Sequence, residues 1–380
     1  MPAKDITDLK IGVLGGGQLG RMMIQSAINY NLDISILDPD ENAPCAHLVK
    51  HFSVGKLTDH DTVYKWGQNF DLITIEIENV SVSALKQLKN EGVTVYPQPE
   101  IIELIQDKRK QKTFYKANRI PTSDFVLTEN AADVANHQDM LPGVNKLGTE
   151  GYDGRGVQMI RSEADLPKAF DKPGLLEKLV DFERELSVVV ARNEKGEMDC
   201  FPVVELSYHP EQNLVEFLFA PAQISSENEE KAYKLAKDVI EKLDMVGLLA
   251  VEMFLTKEGD VLVNEVAPRT HNSGHHTIEA NRTSQFEQHL RAILNMPLGS
   301  TELITPAAMV NLLGEDGFTG NAQYEGMEEC MAMNGVYVHL YGKKLTKPFR
   351  KMGHVTITDD SIQDLKSKAR KVKDTLKVKA

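Results

Sequence analysis

The polar and apolar positions of this chain fall into two periods that change places along its length. Over residues 9–97, short unbroken apolar runs alternate with stretches repeating every three to four positions. The runs at 10–14, 34–37, 71–77 and 93–96 read as strands, and 19–29 and 82–90 read as helices, the second with Ser81 as cap and Gly92 as stop. A further unit lies around 44–70. This β-α-β rhythm predicts a parallel sheet with helices on both faces. Tyr96-Pro97-Gln98-Pro99 interrupts it and marks a boundary. A helical run follows over 100–118 and ends before Pro121. Strand patterns then come in succession at 144–147, 157–160, 175–180 and 185–191. Helices are predicted over 227–243, behind the capping box Ser226-x-x-Glu229, and over 284–294, behind Ser284-x-x-Glu287. Met296-Pro297-Leu298-Gly299 forms the second boundary. The tail carries strand runs at 307–313, 336–340 and 355–358, then a helix from Ser361 with Ile362, Leu365, Ala369, Val372 and Leu376 facing inward. The expected class is α/β and α+β multidomain. Its parts are an N-terminal Rossmann-like domain (1–97), a central domain (98–298) and a small C-terminal β-rich domain (299–380).

One stretch carries the strongest chemical signal. Residues 249–256 and 261–266 are two apolar, β-branched runs around Lys257-Glu258-Gly259-Asp260, a hairpin pattern. A turn closed symmetrically on Glu258-Gly259 pairs Thr256 with Val261 and sets Glu252 opposite Glu265. Opposed carboxylates on one face repel. A hard divalent cation between them would remove that cost, since such ions take oxygen ligands. Glu252 stands within Leu-Leu-Ala-Val-Glu-Met-Phe-Leu, a poor place for an idle surface charge. The pair therefore reads as a magnesium site.

Composition narrows the picture without changing it. The chain has 380 residues, a net charge of −13 and 41% hydrophobic residues. That charge argues against general nucleic-acid binding, and no run approaches the length of a membrane span. Cys45, Cys200 and Cys330 are scattered without metal-type spacing, which fits a cytoplasmic protein. The charge is uneven, however. From Lys343 onward there are twelve Lys/Arg against four Asp, and the loop at 343–351 is the best anion candidate among them.

Two glycine-rich segments compete for phosphate. Gly15-Gly-Gly-Gln18-Leu-Gly20 lies between a predicted strand and helix, with Asp38 ending the next strand. That matches the dinucleotide fingerprint and its ribose acid, so an NAD-dependent oxidoreductase is the rival reading from another class. Gly148 to Gly156 instead joins two strands, and its glycines let backbone amides approach phosphate oxygens closely. The rival reading leaves the opposed glutamates, this loop and the polar run Arg269–His276 without a task.

Taken together, Gly-Gly-Gly-Gln18-Leu-Gly-Arg21-Met, Gly151-Tyr-Asp-Gly-Arg-Gly156, Asn264-Glu-Val-Ala-Pro-Arg-Thr-His-Asn-Ser-Gly274 and Arg350-Lys-Met-Gly-His354 resemble the 5-(carboxyamino)imidazole ribonucleotide synthetase family of the ATP-grasp superfamily. The likeness spans nearly the whole chain, in order. It implies an ATP-grasp fold with a mobile lid over about 120–185, and the carboxylation of 5-aminoimidazole ribonucleotide by ATP and bicarbonate through carboxyphosphate. Another ATP-grasp ligase, such as the formate-dependent glycinamide ribonucleotide transformylase, is the nearest alternative. The cofactors implied are ATP and Mg2+, for which Mn2+ can substitute, with neither biotin nor NAD. The partners implied are small molecules and a second copy of the chain in a homodimer, with no nucleic acid and no membrane. On matching positions, Glu252 and Glu265 would hold the metal. Lys108, Lys146, the loop Gly151, Tyr152, Asp153, Gly154, Arg155, Gly156 and Val157, the segment Glu177, Lys178, Leu179 and Val180, and Glu185, His209, Asn264 and Glu265 would bind ATP. Gln18, Glu76 and Asn79 would bind the ribonucleotide, with Lys343 or Lys344, and Arg350, at its phosphate. Arg269, His271, Asn272 and Ser273, with Tyr152, Asp153 and Arg155, would carry the chemistry. Many ATP-grasp enzymes have a third metal-binding side chain two residues beyond the second glutamate, where this chain has Ala267.

Overall fold

Aliphatic runs without a polar break suit strands covered on both faces, and the N-terminal segment uses them that way. The computed structural model describes residues 5–149, 156–208 and 215–380. Its first sheet has five parallel strands in the order His51–Val54, Asp33–Asp38, Lys10–Leu14, Leu72–Ile75, Thr94–Val95. The strand order reverses between Lys10–Leu14 and Leu72–Ile75. At that point Gly15–Gly17 and Glu76 emerge side by side, forming the crevice where open α/β sheets bind ligands.

The helix predicted over 100–118 is two helices, Pro99–Gln106 and Lys108–Ala117. Asp107 breaks it: its backbone is extended, and its carboxylate accepts from the Arg109 amide. The Lys108 amide donates to Gly148 O at 2.8 Å, not back along the helix. Lys108 thus begins a helix beside the glycine-rich hairpin. That hairpin belongs to a four-stranded antiparallel sheet, Phe125–Thr128, Gly174–Lys178, Gly143–Leu147, Val157–Ile160.

A nine-stranded sheet forms the rest of the framework. It runs from Val261–Ala267 through Gly247–Thr256, Phe182–Arg192, Val204–Tyr208 and Val215–Ala220, then into Ala307–Leu313, Lys351–Thr358 and Val336–Leu340, with the short Met198–Cys200 paired to Phe182–Arg192. The C-terminal strands therefore extend the central sheet, through pairs such as Phe217 with Val310. The helix Ser226–Lys242 lays Ala232, Leu235, Ala236, Val239 and Ile240 against it. Its cap is Ser225, accepting from Asn228 N, one residue earlier than the sequence suggested. Ser284 and Ser361 cap their helices as expected.

The hairpin turn differs from the symmetric closure. Lys257-Glu258-Gly259 forms a three-residue loop with Gly259 at φ +84°, so Leu255, not Thr256, faces Val261. This is a type I turn followed by a left-handed residue. A bulge at Asn264 adds one residue back, and Glu252 pairs with Glu265 after all. The opposition survives through two compensating irregularities.

The helix Gln285–Ile293 packs Phe286, Leu290 and Ile293 into one core with Ile11, Met22, Met23 and Ile34 of the N-terminal sheet. Burial drives His276 and His289 down to about 4, and His275 and His354 well below their ordinary value. A histidine buried neutral favours the folded state fully above about pH 6.5 and withdraws that support as pH falls toward about 4. Each of His276 and His289 is worth about 3 kcal/mol across that window. The melting temperature is therefore expected to drop steeply between pH 7 and 4.5, in a scan at constant ionic strength. A flat profile there would show that these rings take up protons in the folded state as readily as in the unfolded chain. Among the described residues, no helix is long and apolar enough to cross a membrane.

Candidate active site

The bulge at Asn264 directs two consecutive side chains toward the glycine-rich hairpin. Lys146 Nζ reaches Asn264 Oδ1 at 3.3 Å, and Lys108 Nζ reaches Glu265 Oε2 at 2.9 Å. Lys108 holds the Glu265 carboxyl well below the usual range, and Glu265 in turn raises the lysine. Glu252 is pushed the other way, first by burial and then by the charges of Glu265 and Glu185. One acid of the pair is compensated and the other is not. A cation between them would relieve Glu252, and two carboxylates suit a hard divalent ion. Among the described residues, no three His, Cys, Asp or Glu side chains converge as a metal cage. An ion held by these two carboxylates would need its other ligands from elsewhere, since Ala267 offers no side-chain donor.

Behind this pair lies a buried cluster that the sequence pattern did not reveal. Lys112 is only 2% exposed. Its ammonium contacts Glu177 Oε1 at 3.3 Å, Thr122 Oγ1 at 2.5 Å and Ser123 Oγ at 3.0 Å. Lys146 and the Ser123 hydroxyl share the other oxygen of Glu177, at 3.1 and 2.9 Å. Burial lowers Lys112 to about 8. Burial also works to raise Glu177, but Lys146 and Lys112 together hold it below its usual range. Thr122 donates to Val263 O at 2.7 Å, so the cluster joins the four-stranded sheet to the hairpin one residue from the bulge. Lys112 lies in Asp-Lys-Arg-Lys-Gln-Lys, which reads as a wet helix face. The available signal was its four-residue spacing from Lys108, which puts both on one side of the helix. Lys178, Leu179 and Val180 cross from the small sheet to the large one, with the Leu179 amide donating to Pro142 O at 2.9 Å. Glu185 lies on the strand beside the hairpin, opposite Phe254. Gly156, at φ +72°, accepts from Leu147 N, and Val157 pairs with Lys146. Gly151, Tyr152, Asp153, Gly154, Arg155 and His209 lie outside the described residues.

The polar run beyond the hairpin folds back over its end. His271 Nε2 lies 3.6 Å from Glu252 Oε1. Its Nδ1 accepts from Ser273 N at 3.3 Å, which leaves the proton of the neutral ring on Nε2, facing Glu252. Ser273 Oγ sits 2.9 Å from the same Nδ1 and 2.8 Å from Ser187 Oγ, on the strand opposite Glu252. Arg269 pairs with Glu78 of the N-terminal domain, Nε to Oε2 at 2.9 Å. Asn272 does not turn toward this pocket. Its amide exchanges two hydrogen bonds with Asn311, at 2.9 and 3.0 Å, because Ala307–Leu313 continues the same sheet.

In the N-terminal crevice, the protein's own carboxylates occupy amides of the dinucleotide-like turn. Asp38 accepts from Gly16 N at 2.6 Å, and Glu76 accepts from Leu19 N at 3.1 Å at the start of the helix. An anion at that helix end would meet Glu76 first, which removes the main support for the oxidoreductase reading. Burial pushes Glu76 up to about 7, against the pull of Arg269. Gln18 begins that helix half-buried, while Asn79 is exposed beyond the strand. Lys343 Nζ donates to Lys351 O at 2.7 Å, and Arg350 donates to Leu345 O at 2.7 Å. Lys351, at the end of the basic loop 343–351, bears electrostatically on both Glu252 and His275.

Comparison with known proteins matches three successive segments of the chain. Residues 9–106 match the ribonucleotide synthetase preATP-grasp domain, 113–286 the ATP-grasp domain, and 307–368 the phosphoribosylaminoimidazole carboxylase C-terminal domain. The chloroplastic phosphoribosylaminoimidazole carboxylase of Vigna aconitifolia is 39% identical over 371 residues; the match takes in 95% of this chain but 66% of the plant protein, so the chain spans about two thirds of that relative. The crystal structure of N5-carboxyaminoimidazole ribonucleotide synthetase from Thermotoga maritima superposes with a TM-score of 0.91 at 43% identity, covering 98% of this chain and 99% of that one. The Aspergillus clavatus synthase, in complex with ADP and 5-aminoimidazole ribonucleotide, superposes with a TM-score of 0.88 at 31% identity, covering 97% and 99%. The chain belongs to the N5-carboxyaminoimidazole ribonucleotide synthetase family, ATP-grasp ligases that form a carbon–nitrogen bond in purine biosynthesis.

Proposed function

We propose that the chain carboxylates the exocyclic amine of 5-aminoimidazole ribonucleotide at the expense of ATP and bicarbonate. The observation that carries this reading is the bulged hairpin, which sets Glu252 and Glu265 together beside Lys108, Lys146 and the run Arg269–Ser273. In the first step, a bicarbonate oxygen attacks the γ-phosphorus and ADP leaves with the bond electrons. In the second, the ribonucleotide amine attacks the carboxyl carbon of carboxyphosphate, inorganic phosphate departs and the nitrogen gives up a proton. Lys108 and Lys146 neutralise phosphate oxygens, and the Arg269 fork matches the planar oxyanion. The Nε2 proton of His271 is available to an oxygen held beside Glu252. A divalent ion held by Glu252 and Glu265 would offset charge on the transferring phosphoryl group. Magnesium, a hard ion that takes oxygen ligands, suits that carboxylate pair.

Glu76 and Gln18 line the crevice for the aminoimidazole ring, with Asn79 at its rim and Lys343 and Arg350 toward the phosphate. Glu177 serves ATP through its hold on Lys146 as well as through its place beside Lys178–Val180. The reading keeps the division at 97/98 and 298/299, with the sub-lobe of about 120–185 as lid. It also takes the enzyme as a cytoplasmic homodimer, which sedimentation of the purified chain tests. ADP release is expected to require magnesium, bicarbonate and aminoimidazole ribonucleotide together. Release driven by formate and glycinamide ribonucleotide, with none from the first mixture, would overturn the proposal.

A further inference from the structure

His271 stands beside Glu252, with its ring bonded to Ser273 two positions on. Its backbone is gripped by a second residue, Gln285, fourteen positions on and fully buried. Its carboxamide treats the His271 backbone as a neighbouring strand would. Oε1 accepts from His271 N at 2.9 Å, and Nε2 donates to His271 O at 2.7 Å. The second Nε2 hydrogen points at His275 Nδ1, 3.2 Å away. All three contacts agree on one orientation of the amide, because a backbone N–H can only donate and a carbonyl can only accept.

Gln285 is itself anchored. Its amide donates to Thr277 Oγ1 at 2.9 Å, and that hydroxyl donates to Gly274 O at 2.6 Å. It is also the first residue of the helix whose Phe286, Leu290 and Ile293 sit in the core of the N-terminal domain. One turn further, His289 Nε2 meets Thr74 Oγ1 at 3.0 Å, two residues before Glu76. The crevice proposed for the ribonucleotide and the ring beside Glu252 are thus joined through one short helix and one side-chain amide.

We propose that Gln285 is a positioning residue that holds His271 in register with the ribonucleotide-binding domain and so couples ATP cleavage to carboxyl transfer. This rests on the function proposed above. Gln285 is fully buried, with its carboxamide engaged by His271 and His275. It acts through the backbone of His271, and its loss frees the ring to drift relative to the amine while leaving the phosphate-binding lysines in place.

The test compares the unaltered chain with Gln285→Met, which keeps the length and removes every side-chain hydrogen bond, and Gln285→Glu, which keeps the acceptor for His271 N. ADP, carbon from labelled bicarbonate in the ribonucleotide product, and KM for ATP are measured across pH. For Gln285→Met, product formation is expected to fall about a hundredfold, the scale of an ångström-sized misplacement. Product per ADP should fall with it, while KM for ATP is unchanged. In Gln285→Glu the second oxygen faces the His271 carbonyl, and protonation converts it to a donor. Its product per ADP should therefore recover toward wild type as pH is lowered, which a general loosening of the fold would not produce. Should Gln285→Met fail to fold, the pH response of Gln285→Glu decides the matter. One product per ADP in both variants, or a raised KM for ATP with coupling intact, would overturn the inference. Hydrogen exchange over 269–276 separates this failure from that of the proposed function. It is expected to quicken at least about tenfold in Gln285→Met even if wild type makes no product, and equal exchange would refute the clamp.

Discussion

Replacing Glu265 with glutamine is expected to reduce ATP turnover by at least about a thousandfold, the scale seen when a preorganised charge at a reacting centre is removed. The amide keeps the volume and one oxygen but loses the charge that a divalent ion and Lys108 both use. The fold should be unharmed, because Glu265 adds to the charge that already strains its neighbour. Glu252 is raised by burial and then by Glu265, so neutralising Glu265 brings Glu252 back toward the ordinary carboxylate range. Lys108 loses its partner, which offsets part of that gain. Turnover and melting temperature measured on the same preparation check both halves. Activity near wild type would remove Glu265 from the phosphate end of the site. A lost fold would show the Lys108 pair to be structural.

Lys112→Met should have the second largest effect, and on stability first. Removing one partner of a buried ion pair costs several kcal/mol because the other charge stays buried. Glu177 keeps Lys146, so a loss of about 3 kcal/mol is expected, together with a higher KM for ATP as Lys146 is drawn toward Glu177. The companion Lys112→Met/Glu177→Gln should be more stable than Lys112→Met alone, since the double change leaves no carboxylate buried. Urea unfolding of the three proteins measures this directly. Equal stability of Lys112→Met and wild type would mean that water replaces the ammonium without cost.

These two residues also mark how far the sequence could be read. Glu252 and Glu265 were legible because a hairpin is a local structure, with pairing set by a turn whose residues lie between the two acids. Even there, the agreement came from two irregularities, the Gly259 loop and the Asn264 bulge, that cancel in number. Lys112 was not legible as a site. Its partners are Thr122, Ser123 and Glu177, and nothing in a charged helix says which lysine a later strand will cover. The dinucleotide-like turn, which left the rival reading open, shows the same limit. Its glycines permit an anion, but Asp38 and Glu76 arrive from other strands to fill the place. Asn272 and Gln285 complete the pattern. One amide is bound by Asn311 and the other binds His271, through contacts that exist only once the sheets are assembled.

The central claim is that bicarbonate accepts the γ-phosphoryl group over the Glu252–Glu265 floor and then passes its carboxyl to the amine. Oxygen-18 bicarbonate tests it most directly. If carboxyphosphate forms, the attacking oxygen stays with phosphorus when the carboxyl group departs. One labelled oxygen per ADP is therefore expected in the inorganic phosphate, in the presence of magnesium and aminoimidazole ribonucleotide. Phosphate that carries no label while ADP is released would contradict the account.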